Sequence, residues 1–320
     1  MNVSLSALSS EAARGLRGRL LCAEPLAAHT SWRVGGPADY FFVPSDVEDL
    51  AMFLAMLPAH VPVLWVGLGS NLLIRDGGFR GAVICTHKGL GHSSPSGSSG
   101  YFAEAGVPCA KVARRSAQMG RCGAGFMSGI PGTIGGALAM NAGAYGHETW
   151  SIVKKVELID RQGKIHESTR AAFKIGYRSV VGHGDRWFLN ATFDLTPGDK
   201  EEAQDAIRTL LQTRGREQPI QDRSAGSVFK NPEGDFAARL IEAAGLKGQH
   251  CGGARVSMAH ANFIINDGSA TALQIECLIK RIQERVVEFC GAELETEVQI
   301  VGESGVTDDL IPVVGSMVGH

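Results

Sequence analysis

Eight of the 24 residues at 123–146, GAGFMSGIPGTIGGALAMNAGAYG, are glycine. A glycine inside a helix or strand costs roughly 0.5–1 kcal/mol relative to alanine, so no regular element accounts for such a run. The segment has to turn sharply or bring bare backbone against something. A second glycine turn lies upstream, where the β-branched run VPVLWV ends abruptly in Gly67, Gly69, Ser70 and Asn71, the pattern of a strand running into a loop. Two such loops supply many unobstructed backbone N–H groups, and these can cradle a pyrophosphate without basic side chains. A dinucleotide cofactor is the functional reading and tight turns the plain one. The Rossmann fingerprint is absent, because Gly67 and Gly69 lack a third glycine at the required offset, and there is no G-x-x-x-x-G-K-[ST].

The rest of the chain has the composition of a globular protein. Its 320 residues are 44% hydrophobic and 20% charged, enough for about two domains with their own cores. The net charge of -2 provides no global positive field to draw the chain to nucleic acid or an anionic membrane. No apolar run approaches the roughly 20 residues that span a bilayer, and no signal-peptide core follows Arg14, Arg17 and Arg19, so a cytoplasmic location is expected. Seven cysteines without a C-x-x-C pair read as reduced, buried thiols, and ten histidines without a ligand pair give no metal site.

Periodicity divides the chain further. The segment SDVEDLAMFLAML places Val47, Leu50, Ala51 and Leu54 on one helical face, with Ser45 and Glu48 at capping-box spacing. LLIRDGGFRGAVI reads as hairpin-like, GHSSPSGSSG at 91–100 as an exposed loop, and Pro108 as the first turn of a helix. KKVELIDRQGKIHE, with Gly163 in its turn, and RWFLNATFDL alternate as strands of a mixed or antiparallel sheet. After TPGD a helix carries Ala203, Ala206, Ile207, Leu210 and Leu211 in register, behind Asp199 and Glu202 at capping spacing. A further domain is expected to begin there, with a short helix over 235–244 stopped at Gly245, the strand-like ANFIIN, and a long helix over about 270–290 stopped at Gly291. Met127, Met140 and Met258 read as packing residues. Residues 1–17 are expected to be loosely held, and those after about 303 to form a tail.

Seven segments, in order, resemble one family. HTSWRVGGPADYFFVP (29–44), VGLGSNLLIRDGGFRG (66–81), SGIPGTIGGALAMNAGAYG (128–146), GYRS (176–179), AGSVFKNP (225–232), HANFIIN (260–266) and LETEVQIVG (294–302) are similar to the motifs of the UDP-N-acetylenolpyruvoylglucosamine reductases, the MurB family of peptidoglycan synthesis. The resemblance runs from about residue 20 to 303. It implies an α+β flavoenzyme of the vanillyl-alcohol-oxidase-like fold, with FAD-binding subdomains over 18–84 (joined by 296–303) and 85–197, and a UDP-sugar domain over 198–295. The substrate implied is UDP-N-acetylglucosamine enolpyruvate, reduced by NADPH through FAD, with small molecules as the only partners. The family's catalytic residues fall on Arg178, Ser227 and Glu297. Cofactor contacts fall on Gly67, Gly69, Ser70, Asn71, Leu72, Gly129, Ile130, Pro131, Gly132, Gly135, Gly136, Asn141, Ala142 and Gly143, and substrate contacts on Tyr177, Lys230, Asn231, Lys247, His260 and Asn262. Only about fifty positions separate Arg178 from Ser227, which resembles the compact subtype without an inserted tyrosine loop.

The chemistry can be argued from residue types as well. Reducing an enol ether conjugated to a carboxylate puts hydride on the terminal carbon and negative charge on its neighbour, so the site needs a cation and a proton source. Arg178 can supply the charge, Ser227 the proton, and Glu297 can orient them or shuttle protons. Taken singly, each has a plain reading: a surface ion pair for Arg178, a turn serine for Ser227, and the solvated face of an edge strand for Glu297. Arg255 reads equally as surface. Two other functions compete, a flavin oxidase or dehydrogenase of sugars or lactones on the same fold and a nucleotide-sugar-binding protein without flavin.

Overall fold

The computed structural model describes residues 15–219 and 221–305. The expected N-terminal extension and C-terminal tail lie almost wholly outside them. In the first part of the chain, β1 (Arg19–Pro25) runs antiparallel to β2 (Pro37–Val43), and β2 and β3 (Val63–Val66) flank β5 (Phe79–Cys85) in parallel. Helix α1 (Val47–Met56) buries Leu50, Phe53 and Leu54 against Phe42 and Ile84 of that sheet. Its cap is Asp46, whose carboxylate accepts the Asp49 N–H at 2.9 Å, and not the expected Ser45. The buried Asp49 is taken up by the N–H groups of Arg17, Gly18 and Ser45, which ties the start of the described chain to the helix.

Residues 72–84 are not a hairpin. The turn at Gly77 and Gly78, the latter at φ +83°, sends β5 into the main sheet, while β4 (Leu72–Ile74) pairs in parallel with a strand from the far end of the chain, Gln299–Val301. That pairing returns the C-terminal segment to the first subdomain.

The second subdomain is a five-stranded antiparallel sheet. Its order is β9 (Ile165–Ser168), β8 (Val153–Ile159), β12 (Trp187–Phe193), β7 (Gly100–Glu104), β6 (Ser93–Ser96), and the short hairpin of β10 (Lys174–Gly176) and β11 (Ser179–Val181) stands beside it. Residues 91–100 were expected as a loop, yet they contain β6 and a turn at Gly97 (φ +58°). Pro95 is tolerated because β6 is an edge strand. Helices α2 (Cys109–Gln118), with Pro108 as its N-cap, and α3 (Ile134–Met140) cover the sheet. The next helix, α4 (Lys200–Glu217), is capped by Asp199 as expected. Its Ile207 is buried in the core with Val112 and Phe126, so α4 rides on the second subdomain although the sequence divides the chain before it.

The third part holds α5 (Ala237–Ala243), the antiparallel strands β13 (His250–Cys251), β14 (Ala254–Val256) and β15 (Ile264–Asn266), and α6 (Ala272–Cys290). A Thr271–Gln274 capping box starts α6 and Gly291, at φ +72°, ends it. Its stripe Ile275, Leu278, Ile279, Ile282 and Val286 is fully buried, which at about 2 kcal/mol per side chain is roughly 10 kcal/mol of gross stabilisation. Trp32, from the first subdomain, sits in this same core with its Nε1–H donated to the Ile264 carbonyl at 2.7 Å. The strand Gln299–Val301, β16, then closes the chain onto β4.

Two packing expectations change. Met258 is 62% exposed and Met140 lines a cavity, while Met127 is buried. Of the free cysteines, Cys85 and Cys109 are buried and Cys22 and Cys290 are exposed. Among the described residues no helix is long and apolar enough to cross a membrane, and no cluster of three or more His, Cys, Asp or Glu is placed to hold a metal ion.

Candidate active site

A cavity of about 420 Å³ opens where the three parts meet. Its first wall is the turn after β3, with Gly67, Gly69, Ser70, Asn71 and Leu72. Its second is the glycine loop around the start of α3, with Gly129, Ile130, Pro131, Gly132, Gly136, Ala142 and Gly143. The two loops pack directly on each other: a Cβ at Gly67 would run into Thr133, and Gly69, at φ +63°, lies against the His29 carbonyl. Gly136 is different. A Cβ there would meet nothing within 4 Å, and the residue lines the cavity.

The third wall brings Arg178, Ser227 and Glu297 together. Arg178 occupies the tight turn between β10 and β11 at φ +51°, a left-handed conformation that costs a non-glycine residue about 1 kcal/mol. Three contacts hold it there. Its Nε donates to Glu297 Oε1 at 2.9 Å, its Nη2 to the Gly143 carbonyl at 3.2 Å, and its guanidinium lies 5.0 Å from the ring centre of Tyr177. Glu297 is therefore not on a solvated face. It is positioned by its own N–H on the Val228 carbonyl at 2.7 Å and by the Asn71 Nδ2 donor on its carbonyl at 3.0 Å. The first of these bonds also fixes the Ser227 segment alongside. Burial raises the Glu297 carboxyl above its ordinary value, and Arg178 opposes the shift, so the pair holds a carboxylate that takes a proton more readily than one in water.

Other expected contacts point elsewhere. Gly135 faces Ala105, where a Cβ would sit 2.9 Å from the Ala105 Cβ. Asn141 is fully buried as the left-handed cap of α3, where its side chain bonds Glu148, the Gly176 carbonyl and the Trp150 N–H. Asn262 brackets the backbone of Phe229 from both sides. Lys230 pairs with Glu295, Lys247 with Glu242, and the Asn231 side chain accepts from the Ala237 N–H. Tyr177 is 48% exposed beneath Arg178, and His260 packs edge-on against Phe263; neither lines the cavity. Glycine and asparagine at motif positions mark close packing as readily as ligand contact, and sequence does not separate the two.

The lining residues that had not been anticipated include Tyr145, Arg214, Gln218 and Gln299. Tyr145 sits inside the glycine loop and could have been found by that position alone. Arg214 and Gln218 belong to the polar end of α4, which reads from sequence as surface.

The comparisons with known proteins agree with this geometry. A family model described as "UDP-N-acetylenolpyruvoylglucosamine reductase, C-terminal domain" matches residues 218–301, and one described as "FAD binding domain" matches 38–169. The chain is 52% identical over 288 residues to the UDP-N-acetylenolpyruvoylglucosamine reductase of Methylococcus capsulatus, covering 90% of this chain and 95% of that one. The enzyme of the same name from Legionella pneumophila (strain Corby) is 49% identical, with 95% and 99% covered. The crystal structure of UDP-N-acetylenolpyruvylglucosamine reductase (MurB) from Thermus caldophilus superposes with a TM-score of 0.77 at 30% identity, covering 89% of this chain and 99% of that one. With half its sequence shared over nine-tenths of its length and the same architecture around the cavity, the chain belongs to the UDP-N-acetylenolpyruvoylglucosamine reductase family.

Proposed function

We propose that Arg178, Ser227 and Glu297 handle the substrate and the proton in this family's reaction, the NADPH-dependent, FAD-mediated reduction of UDP-N-acetylglucosamine enolpyruvate to UDP-N-acetylmuramate in peptidoglycan synthesis. One observation carries the assignment: three residues from distant segments line one cavity together with both glycine loops. That cavity fits FAD, since both loops present bare backbone and the open space beside Gly136 is what a Cβ would fill. When bound, FAD supplies the hydride it has accepted from NADPH.

The chain's own groups do the rest. Arg178, held rigid by Glu297, Gly143 and Tyr177, meets the substrate carboxylate and the charge that builds beside it as hydride arrives at the terminal carbon. Ser227 delivers its hydroxyl proton to the carbon next to the carboxylate. A serine is a weak acid in water, but protonating an enolate is downhill, and the neighbouring guanidinium favours the departing alkoxide. Glu297 fixes the guanidinium, and its raised affinity for a proton suits it to restore the serine. A flavin oxidase of the same fold has no use for a proton donor opposite a carboxylate-binding arginine, so that alternative is not favoured. Small molecules are its proposed partners, and a nucleotide sugar and NADPH as substrates suit a cytoplasmic enzyme.

Gly136→Leu tests the cavity assignment, because a leucine there fills the space beside the loop. The purified variant is expected to be colourless and unable to regain flavin absorbance with added FAD. A yellow, fully active variant would remove the cofactor from this cavity.

A further inference from the structure

We propose that Arg214, aimed into the cavity by a strut between Tyr145 and Leu210, is the cation that balances the negative charge the flavin acquires when NADPH reduces it. The inference rests on the cavity being the FAD site. Three charged side chains line that cavity: Arg178, Glu297 and Arg214. The first two form an ion pair at 2.9 Å and sum to zero. Arg214 donates its Nε to the neutral Gln218 Oε1 at 3.0 Å, and among the described residues no carboxylate pairs with it. Burial disfavours its charged form. A guanidinium nevertheless stays charged in proteins, so the cavity carries one excess positive charge in partly desolvated surroundings. Such a charge is costly unless something negative faces it during turnover.

The reaction supplies that charge in one step. Hydride from the nicotinamide carbon brings two electrons and one proton to the flavin N5. No other proton enters, so the neutral flavin becomes an anion while NADPH becomes NADP+. Neither other wall is arranged for this charge. The glycine loops would hold the pyrophosphate by backbone alone, and Arg178 is already engaged by Glu297 and would meet the substrate carboxylate.

The aim of Arg214 is set by a residue outside α4. Tyr145 adopts φ +55°, its ring passes so close to Gly129 that a side chain there would collide with it, and its hydroxyl donates to the Leu210 carbonyl at 2.8 Å. Leu210 lies one helical turn before Arg214, so this bond fixes the rotation of α4 against the glycine loop. Tyr145 is thus a positioning residue.

The test measures the flavin midpoint potential of the holoenzymes, by anaerobic photoreduction against a reference dye. Arg214→Met and Arg214→Gln are expected to keep FAD but to favour its reduced form about tenfold less, roughly 30 mV for a two-electron couple. NADPH should reduce them more slowly in parallel. Arg214→Lys is expected to restore most of the potential, and Tyr145→Phe to fall between. An unchanged potential in the yellow neutral variants overturns the inference, including when their KM for the UDP-sugar rises, which would assign Arg214 to the substrate's phosphates. Failure of both neutral variants to hold oxidised FAD also overturns it, because the charge would then serve retention. A yellow Gly136→Leu protein is the separate result that removes the underlying cavity assignment.

Discussion

At the scale of single residues, the two half-reactions separate what Ser227 does from what it packs against. Transfer of hydride from NADPH to the flavin makes no carbanion, whereas reduction of the enolpyruvyl group does, and only that step needs a proton donor. Ser227→Ala is expected to leave flavin reduction by NADPH nearly intact and to slow re-oxidation by substrate by about 10²–10⁴-fold, the range for losing a positioned general acid. Anaerobic stopped-flow mixing resolves the two steps, and equal slowing of both would reveal a packing defect instead. Ser227, Arg178 and Glu297 were legible only through their motifs. Alone, a serine after glycine, an arginine after tyrosine and a glutamate on an alternating strand describe countless surface turns. What no spacing could show is that Arg178 is in a left-handed turn or that Glu297 is buried against it. The same limit runs the other way for Gly135 and Asn141, which lie in the glycine loop but pack against Ala105 and cap α3 respectively, a placement their motif position does not reveal.

Among the elements, α6 is fastened to the first subdomain at its N-terminal end. Asp76, in the turn after β4, accepts the N–H groups of Ala272 and Leu273 at 3.0 and 2.9 Å, and Glu276 takes Arg75 in a two-pronged contact at 2.8 and 3.1 Å. The hydrogen bond from Arg75 is the main reason the Glu276 carboxyl is held below its ordinary value, with burial opposing. A depressed carboxyl pKa contributes stability that is complete above the unfolded value of about 4.3 and is lost as pH falls through the folded one. Glu276→Gln is therefore expected to cost about 2 kcal/mol at pH 7. The gap between variant and parent should narrow on acidification below pH about 4. Urea midpoints at several pH values measure it, and a gap independent of pH would contradict the ion-pair origin. The helix itself was legible from its stripe and its glycine stop. Its fastening was not, since Arg75 and Glu276 are some 200 positions apart. Short-range signals erred where a strand's partner is remote, as for β4, or where serine-rich sequence forms an edge strand, as for β6.

For the whole molecule, Trp32 joins two bodies. It leaves the first subdomain, is fully buried in the core of the third, and exchanges hydrogen bonds with Ile264 and Asn266, both at 2.7 Å. Removing it leaves a large void as well as an unsatisfied carbonyl, so Trp32→Ala is expected to lose about 3–5 kcal/mol. It should also split thermal unfolding into two transitions, which calorimetry would detect; a single transition at the parent temperature would mean the bodies are joined elsewhere. The order of the chain adds a temporal constraint. β4 is made early, but its partner β16 comes more than 220 residues later, and Glu297 lies two residues before that partner. A polypeptide still emerging from the ribosome has both glycine loops and Arg178, yet Arg178 lacks its Glu297 partner, and Asn71 the Glu297 carbonyl, until the final stretch appears. The ion pair that holds the arginine, and with it the third wall of the cavity, is thereby completed only by the last-made part of the described chain.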